Sequence, residues 1–112
     1  MGYEKATPDD VESVVDPEVG DMRFLKSALG TTEVGVTVLS LEPGESGKEH
    51  DHTHDGQEEV YVVVDGEAEV ELSDATVHLS ADEALRIDAE ETRQIHNRSD
   101  ERAKFVLVGA PL

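Results

Sequence analysis

Three histidines alternate with other residues at His50, His52 and His54, and Glu59 follows shortly after them. In an extended strand successive side chains point to opposite faces, so these histidines would share one face. Neutral imidazole is the commonest metal ligand in proteins, and a nearby carboxylate would complete a three-point site with open coordination positions. The spacing therefore predicts a divalent metal site. The alternative interpretation is a solvated loop that happens to be rich in histidine.

The elements that must position these residues are short β-strands. Alternating or β-branched segments recur at a spacing of about eight to twelve residues, which is typical of an antiparallel sandwich or small barrel. The segments are residues 22–29, 32–41, 50–54, 59–64, 67–72, 76–79, 84–87, 93–97 and 105–109. We therefore expect an all-β, single-domain fold over residues 22–112, preceded by an acidic and loosely ordered arm over residues 1–21.

The spacing of the histidines and the glutamate resembles the first sequence motif of the cupins. The match is His52-x-His54, four residues, Glu59, six residues and then Gly66. Cupins are small antiparallel jelly-roll barrels that usually hold one divalent metal ion. The resemblance therefore implies a cupin β-barrel with a metal site formed by His52, His54 and Glu59. The alternative pairs His50 and His52 with the glutamate, and it would demand an enlarged gap.

The second cupin motif departs from the family pattern at one position. The resemblance extends over roughly residues 32–110, and counting back from Asn97 places the family's histidine ligand on Arg93. Arginine stays protonated and cannot donate to a metal, but its planar fork matches a carboxylate. We therefore expect Arg93 to bind a small anionic ligand beside the metal. The alternative is an internal ion pair with Glu59, which would argue against a bound metal.

Two further residues are assigned to the interior of the barrel. Tyr61 follows Glu59 by two positions and should share its inward face. We interpret Tyr61 as a substrate-binding wall and, together with Arg93, as a candidate catalytic residue. His50 is expected at the rim of the cavity, where it would contact the substrate.

The function hypotheses that follow belong to different classes. The first is an enzyme of the dioxygenase, isomerase or decarboxylase type that uses Fe, Mn, Ni or Zn on a small anionic substrate. The second is a barrel that binds or senses a small molecule without catalysis. The third is a metal-free structural barrel. The fold alone does not choose among them, because one fold carries many functions.

The charge and composition exclude other classes of protein. The chain has 27 acidic and 9 basic residues and a net charge of -18, spread along its length, which we interpret as adaptation to a salt-rich cytoplasm. Nucleic acid binding is not expected, because the basic clusters that neutralise phosphates are absent. No apolar run approaches the ~20 residues that cross a bilayer, and the start of the chain lacks signal-peptide character. Without cysteine, disulfides and thiolate metal sites are excluded.

The outward face of one strand predicts an assembly. Val60, Val62 and Val64 alternate with the inward residues of the strand and are too apolar for a solvated sheet surface. An exposed band of this kind is typical of an interface, and cupins commonly pair through the outer face of one sheet. We therefore expect a homodimer.

Overall fold

Residues 2–112, which a computed structural model describes, form two antiparallel β-sheets around one apolar interior. The larger sheet has the strand order β1-β2-β8-β3-β6, and the smaller sheet has the order β5-β4-β7. The strands are β1 (Asp21–Phe24), β2 (Gly35–Leu41), β3 (Glu58–Asp65), β4 (Glu67–Glu71), β5 (Thr76–Ser80), β6 (Ala84–Ile87), β7 (Gln94–His96) and β8 (Ala103–Ala110). The expected all-β antiparallel fold is confirmed.

The helical content is confined to single turns. A 3-10 turn spans Pro8–Asp10, and an α-helical turn, α1, spans Lys26–Leu29. Within residues 2–112, no helix is long and apolar enough to cross a membrane.

Alternation along the central strands sets the interior of the barrel. In β3 and β8 every second residue is buried, and the register places Tyr61 opposite Leu107 and Val63 opposite Phe105. These side chains pack with residues from the smaller sheet in one core cluster. Because strand side chains repeat with a period of two, Glu59 lies on the same inward face as Tyr61, at the end of the apolar rows. The fold therefore places one acidic residue at the edge of an apolar interior.

Two of the predicted strands differ from the structure. The segment at residues 22–29 is extended only as far as Phe24, after which α1 follows and Gly30 caps it with φ 69°. The backbone amides of Leu29 and Gly30 donate to the carbonyls of Leu25 and Lys26, so local helical hydrogen bonds replace sheet pairing here. The segment at residues 50–54 is also not a strand, because a turn occupies residues 53–56.

Residues before β1 are tied to the edge of the larger sheet. Arg23 Nη1 donates to the carbonyls of Pro8 and Val11 at 3.1 and 2.8 Å. The amide of Val14 donates to the carbonyl of Met22 at 2.8 Å. The acidic arm therefore runs along the edge strand, where it satisfies polar groups that pairing with β2 leaves free.

We predict that Gly66→Ala strongly destabilises the hairpin between β3 and β4. Gly66 has φ 76°, and a Cβ there would collide with the carbonyl oxygen of Arg102 and lie 3.1 Å from the Cα of Ala103. The expected loss in the free energy of unfolding is about 3 kcal/mol or more. Gly30→Ala is the matched control, since it has φ 69° but no atom within 4 Å of the added Cβ. The control should lose only about 1 kcal/mol, and equal losses in urea unfolding would contradict the prediction.

Candidate metal centre

The side chains of His50, His52 and Glu59 converge at one end of the barrel, with their ligand atoms within 4.8 Å of one another. Nε2 of His52 lies 3.3 Å from Oε1 of Glu59, and Nε2 of His50 lies 3.8 Å from the same oxygen. Two ligand atoms bound at 2.1 Å to one ion are about 3.0–3.4 Å apart. The cluster therefore has nearly the dimensions that one metal ion requires, and small side-chain shifts close the difference.

Backbone hydrogen bonds bring the two histidines together. The amide of His50 donates to the carbonyl of Arg93 at 3.0 Å, and the amide of Arg93 donates back at 2.9 Å. The amide of His52 donates to the carbonyl of Ala89 at 2.8 Å, and the turn at residues 53–56 starts from the carbonyl of His52. The loop is therefore anchored to the segment before β7 on either side of the site, and its shape does not depend on strand alternation.

The second nitrogen of each histidine has an acceptor that fixes its tautomer. Nδ1 of His50 lies 2.9 Å from the carbonyl oxygen of Lys48, and Nδ1 of His52 lies 3.1 Å from both carboxylate oxygens of Asp55. A carbonyl oxygen and an ionised carboxylate only accept, so Nδ1 carries the proton in both rings. In the neutral rings the Nε2 lone pairs therefore face Glu59. Such outer partners are typical of histidines that bind metals.

Glu59 is held in its ionised form despite its burial. Burial raises the pKa of Glu59, but the neighbouring His50 and His52, the hydroxyl of Tyr61 and the charge of Arg93 together lower it below its usual value. Tyr61 Oη donates to Oε1 of Glu59 at 3.1 Å. Burial and the charge of Glu59 raise the pKa of Tyr61, so the hydroxyl keeps its proton. The nearby carboxylate raises the pKa of His50. Without a metal, a proton on His50 is therefore the natural partner of Glu59.

Arg93 lies inside the barrel, as its register indicates, but it does not line the cavity. Its side chain is 0% exposed. Nη2 donates to the carbonyl of Asp88 at 2.9 Å, and Nη1 lies 3.9 Å from Oε1 of Glu59. Nε and Nη1 have no hydrogen-bond partner within the described residues 2–112. The structure therefore differs from the expected ligand contact and favours the alternative, a loose internal ion pair with Glu59.

The structure also places His54 outside the cluster, although the sequence pattern assigned it as a ligand with His52 and Glu59. Its side chain is 76% exposed, and its Nε2 lies 3.5 Å from a carboxylate oxygen of Asp55. The turn at residues 53–56 brings His54 towards Asp55, with which it and His52 form a second group of possible ligand atoms, whereas His50 takes the third position beside Glu59. A sequence signal for this arrangement exists, because Gly44 stands at the usual cupin separation from His50.

Sequence reasoning missed the carboxylate that orients His52. Asp55 and Gly56 form a turn dipeptide, which marks the end of the loop but does not reveal that Asp55 contacts a histidine. His96 lies elsewhere, since its Nδ1 is 2.7 Å from Ser46 Oγ and its Nε2 is 2.8 Å from Glu71 Oε1. It therefore fastens the loop after β2 to the smaller sheet, outside the candidate site.

A cavity of about 650 Å³ adjoins the cluster. His50 and Tyr61 line it, as expected for residues that contact a substrate, and so do His52 and Glu59. The walls also include apolar side chains from the arm, β1, β2, β8 and the segment after β8, namely Val15, Val19, Met22, Phe24, Val36, Leu39, Leu41, Leu107 and Leu112. The three converging groups can thus act on a molecule held in this cavity.

The sheet topology and the position of the histidines and the glutamate agree with a known family. The cupin domain family matches residues 37–109, which is more than half of the chain. The chain is a cupin.

Solved structures of other proteins share this architecture. The sugar phosphate isomerase of the cupin superfamily from Silicibacter pomeroyi is 23% identical, with a TM-score of 0.80, over 96% of this chain and 76% of that one. The predicted oxalate decarboxylase from Thermotoga maritima is 22% identical, with a TM-score of 0.77, over 100% of both chains. At these identities the likeness shows the fold.

A curated relative is more similar in sequence. The polyketide synthase CurC of Streptomyces cyaneus is 35% identical over 95 residues, which is 83% of this chain. The cupin chain spans 60% of the length of that relative.

We predict that Tyr61→Phe destabilises the metal-free cupin at neutral pH by about 2 kcal/mol, because the buried carboxylate of Glu59 loses a donor. The folded pKa of Glu59 is lowered, so its contribution to stability is present above the unfolded pKa and is lost as the pH falls through the folded pKa. The difference between variant and wild type should therefore shrink in acid. Tyr3→Phe, at an exposed position, is the control and should match wild type in urea unfolding at every pH.

Proposed function

We propose that this cupin binds one divalent metal ion through His50, His52 and Glu59 and uses it to act on a small organic molecule. The observation that carries the proposal is the convergence of two imidazole Nε2 lone pairs on an ionised carboxylate. The orientation of each imidazole ring is fixed by an acceptor at Nδ1. Rotating a ring so that its Nε2 lone pair leaves Glu59 would break that hydrogen bond. The three groups are all acceptors where they converge, so the space between them suits a cation.

The donor set suits Fe, Mn, Ni or Zn, since imidazole and carboxylate together bind all of these ions. Three protein ligands leave open positions, and a bound ion would supply Lewis-acid or redox chemistry to a substrate there. The other residues have supporting roles. Asp55 and the carbonyl of Lys48 orient the two rings, and Tyr61 stabilises the charge of Glu59. Tyr61 stays protonated, so we assign it the role of a hydrogen-bond donor and not that of a base.

The relatives support a class of reaction within this proposal. The sugar phosphate isomerase and the predicted oxalate decarboxylase have the same fold, and the sequence relative is a polyketide synthase protein. Their substrates have carbonyl or carboxyl oxygens that suit a Lewis acid. We therefore propose an isomerase- or decarboxylase-type enzyme whose substrate offers oxygen donors to the metal, and the sequence relative favours a polyketide-derived molecule.

A second candidate function is a metal-free barrel that binds a small molecule without catalysis. Arg93 supports it, because its charge lies 3.9 Å from Glu59 and already compensates that carboxylate. A fixed positive charge beside the cluster also repels a divalent ion. The two candidates differ in metal uptake, which can be measured directly.

We predict that His50→Ala weakens zinc binding by about 100-fold or more, because loss of a ligand costs at least as much as loss of an outer partner. His54→Ala is the matched control, since it removes a neighbouring histidine whose side chain is exposed, and it should bind zinc like wild type. The measurement is calorimetric titration of protein purified without a histidine tag. Loss of binding in His54→Ala alone would show that the ligand set is wrong. No uptake by wild type would support the metal-free candidate.

We also propose a homodimer formed through the outer face of β3 and β8. Val60 pairs with Val108 and Val62 with Val106, which gives a partly exposed apolar band on that face. Lower ionic strength should weaken the dimer, because each subunit carries a net charge of -18 and salt screens the repulsion. Sedimentation at several salt concentrations tests this, with Val62→Asp expected to give monomers throughout. A wild type that is monomeric at every salt concentration would rule the dimer out.

A further inference from the structure

The cavity beside the cluster is polar at one end and apolar along most of its length. The polar end contains His50, His52 and Glu59, with Asp51, His54 and Gln57 beside them. The register of the larger sheet continues the inward face away from Glu59 in two apolar rows. One row contains Tyr61, Leu107, Thr37 and Phe24, which all line the cavity, and of the next row Leu39 and Met22 line it. A ligand that fills the cavity therefore lies mostly against apolar side chains and meets the polar cluster only at one end.

Two glycines line the cavity near its polar end. Gly109 lies opposite Glu59 in the sheet, and Gly35 lies opposite Gly109 on the next strand. A Cβ at Gly109 would lie 2.6 Å from Oε1 of Gln57 and 3.5 Å from Cγ of Glu59. A Cβ at Gly35 would lie 2.9 Å from Cδ2 of Leu112, so the side chains of Gln57 and Leu112 occupy the space above this row and line the cavity beside Glu59.

The charges that line the cavity do not suit an anion. Among residues 2–112 the lysine and arginine side chains that line it are Lys26 and Lys48, and both are exposed. Arg93 is fully buried and does not line it. Glu59 and Asp51 line the cavity as carboxylates, and the whole chain is strongly acidic. In the metal-free protein a carboxylate ligand would thus lose its hydration without meeting a buried lysine or arginine, whereas an apolar ligand gains from leaving water.

The volume of the cavity also favours a larger, apolar ligand over a small acid. A volume of about 650 Å³ lies within the range of roughly 300–1,000 Å³ that drug-sized ligands occupy. At the far end, Phe24 is 51% exposed and Val19 is 46% exposed, so apolar surface continues to the mouth of the cavity. A small dicarboxylate would leave most of these walls unfilled.

We infer that the substrate is an uncharged, largely apolar ring molecule, with a carbonyl or hydroxyl oxygen at the end that meets His50, His52 and Glu59. The inference rests on the proposed function, because it takes the cavity at this cluster as the substrate site. It replaces the small anion with a ligand whose ring system packs between Phe24, Thr37 and Leu107.

Three probes separate ligand charge from ligand size. 1-Hydroxy-2-acetonaphthone is a neutral two-ring molecule with adjacent oxygens, 1-hydroxy-2-naphthoate has the same rings with a carboxylate, and malonate is a small acid without rings. In metal-free protein, the ketone should bind about tenfold more tightly than the naphthoate, and malonate should not bind measurably. Calorimetric titration gives all three affinities. Equal or tighter binding of the naphthoate or of malonate overturns the inference.

Two variants of the wall then locate the binding site. Phe24→Ala removes an exposed wall residue with little risk to folding, and Thr37→Phe fills the space between Phe24 and Leu107. Each should weaken ketone binding by about tenfold. Val64→Ala is the control, since Val64 is 41% exposed on the same sheet and does not line the cavity. Unchanged ketone binding in Phe24→Ala, or in Thr37→Phe with wild-type circular dichroism, overturns the inference.

Zinc titration of the same proteins keeps this test separate from that of the proposed function. Both wall variants should take up zinc like wild type, because neither residue contacts the cluster. If wild type binds zinc but not the ketone, the inference is wrong and the metal site stands. If wild type binds the ketone but not zinc, the inference about the ligand stands and the metal-dependent function is wrong.

Discussion

The burial of one ionised carboxylate, that of Glu59, governs the arrangement at this end of the barrel. A charge on an inward strand position costs several kcal/mol unless partners surround it. The chain supplies a tyrosine hydroxyl at 3.1 Å, two imidazole rings and an arginine. These groups come from β3, from the loop after β2 and from the segment before β7. Groups from three separate parts of the chain therefore stabilise one buried charge. The apolar rows of the larger sheet begin beside it.

The arrangement explains why the cluster can hold either a metal or a proton. Both rings present a lone pair to Glu59, because the other nitrogen of each ring is already committed to an acceptor. A metal ion satisfies all three groups at once, whereas a proton on His50 satisfies one pair. Arg93 shifts this balance towards the metal-free form, since it adds positive charge without offering a lone pair. The departure from the family pattern at this position thus changes the electrostatics of the cluster more than its shape.

Sequence patterns predicted the fold well because side chains in a strand alternate between its two faces, which depends only on neighbouring residues. The period of two in residues 59–64 and 105–109 is enough to place Glu59 and Tyr61 inside, whatever the loops do. The loop at residues 50–56 follows no such rule. Its shape depends on hydrogen bonds to Arg93 and Ala89, about forty residues away in the sequence, and on a turn that strand alternation does not foresee. Sequence alone therefore placed His52 and Glu59 together, but it put His54 beside them where the structure has His50.

The same hydrogen bonds bear on how a ligand enters and leaves. The loop that contains His50 and His52 is fastened to the segment before β7 by paired amides and carbonyls, and Ser46 and Gly47 extend the attachment to β7. The opposite wall is built on β1, which has a strand neighbour on one side only. Opening the histidine side would break several hydrogen bonds together, whereas rotation of the exposed ring of Phe24 on the β1 side breaks none. The easiest route for a ligand into the cavity therefore passes the edge strand, at the end opposite His50, His52 and Glu59.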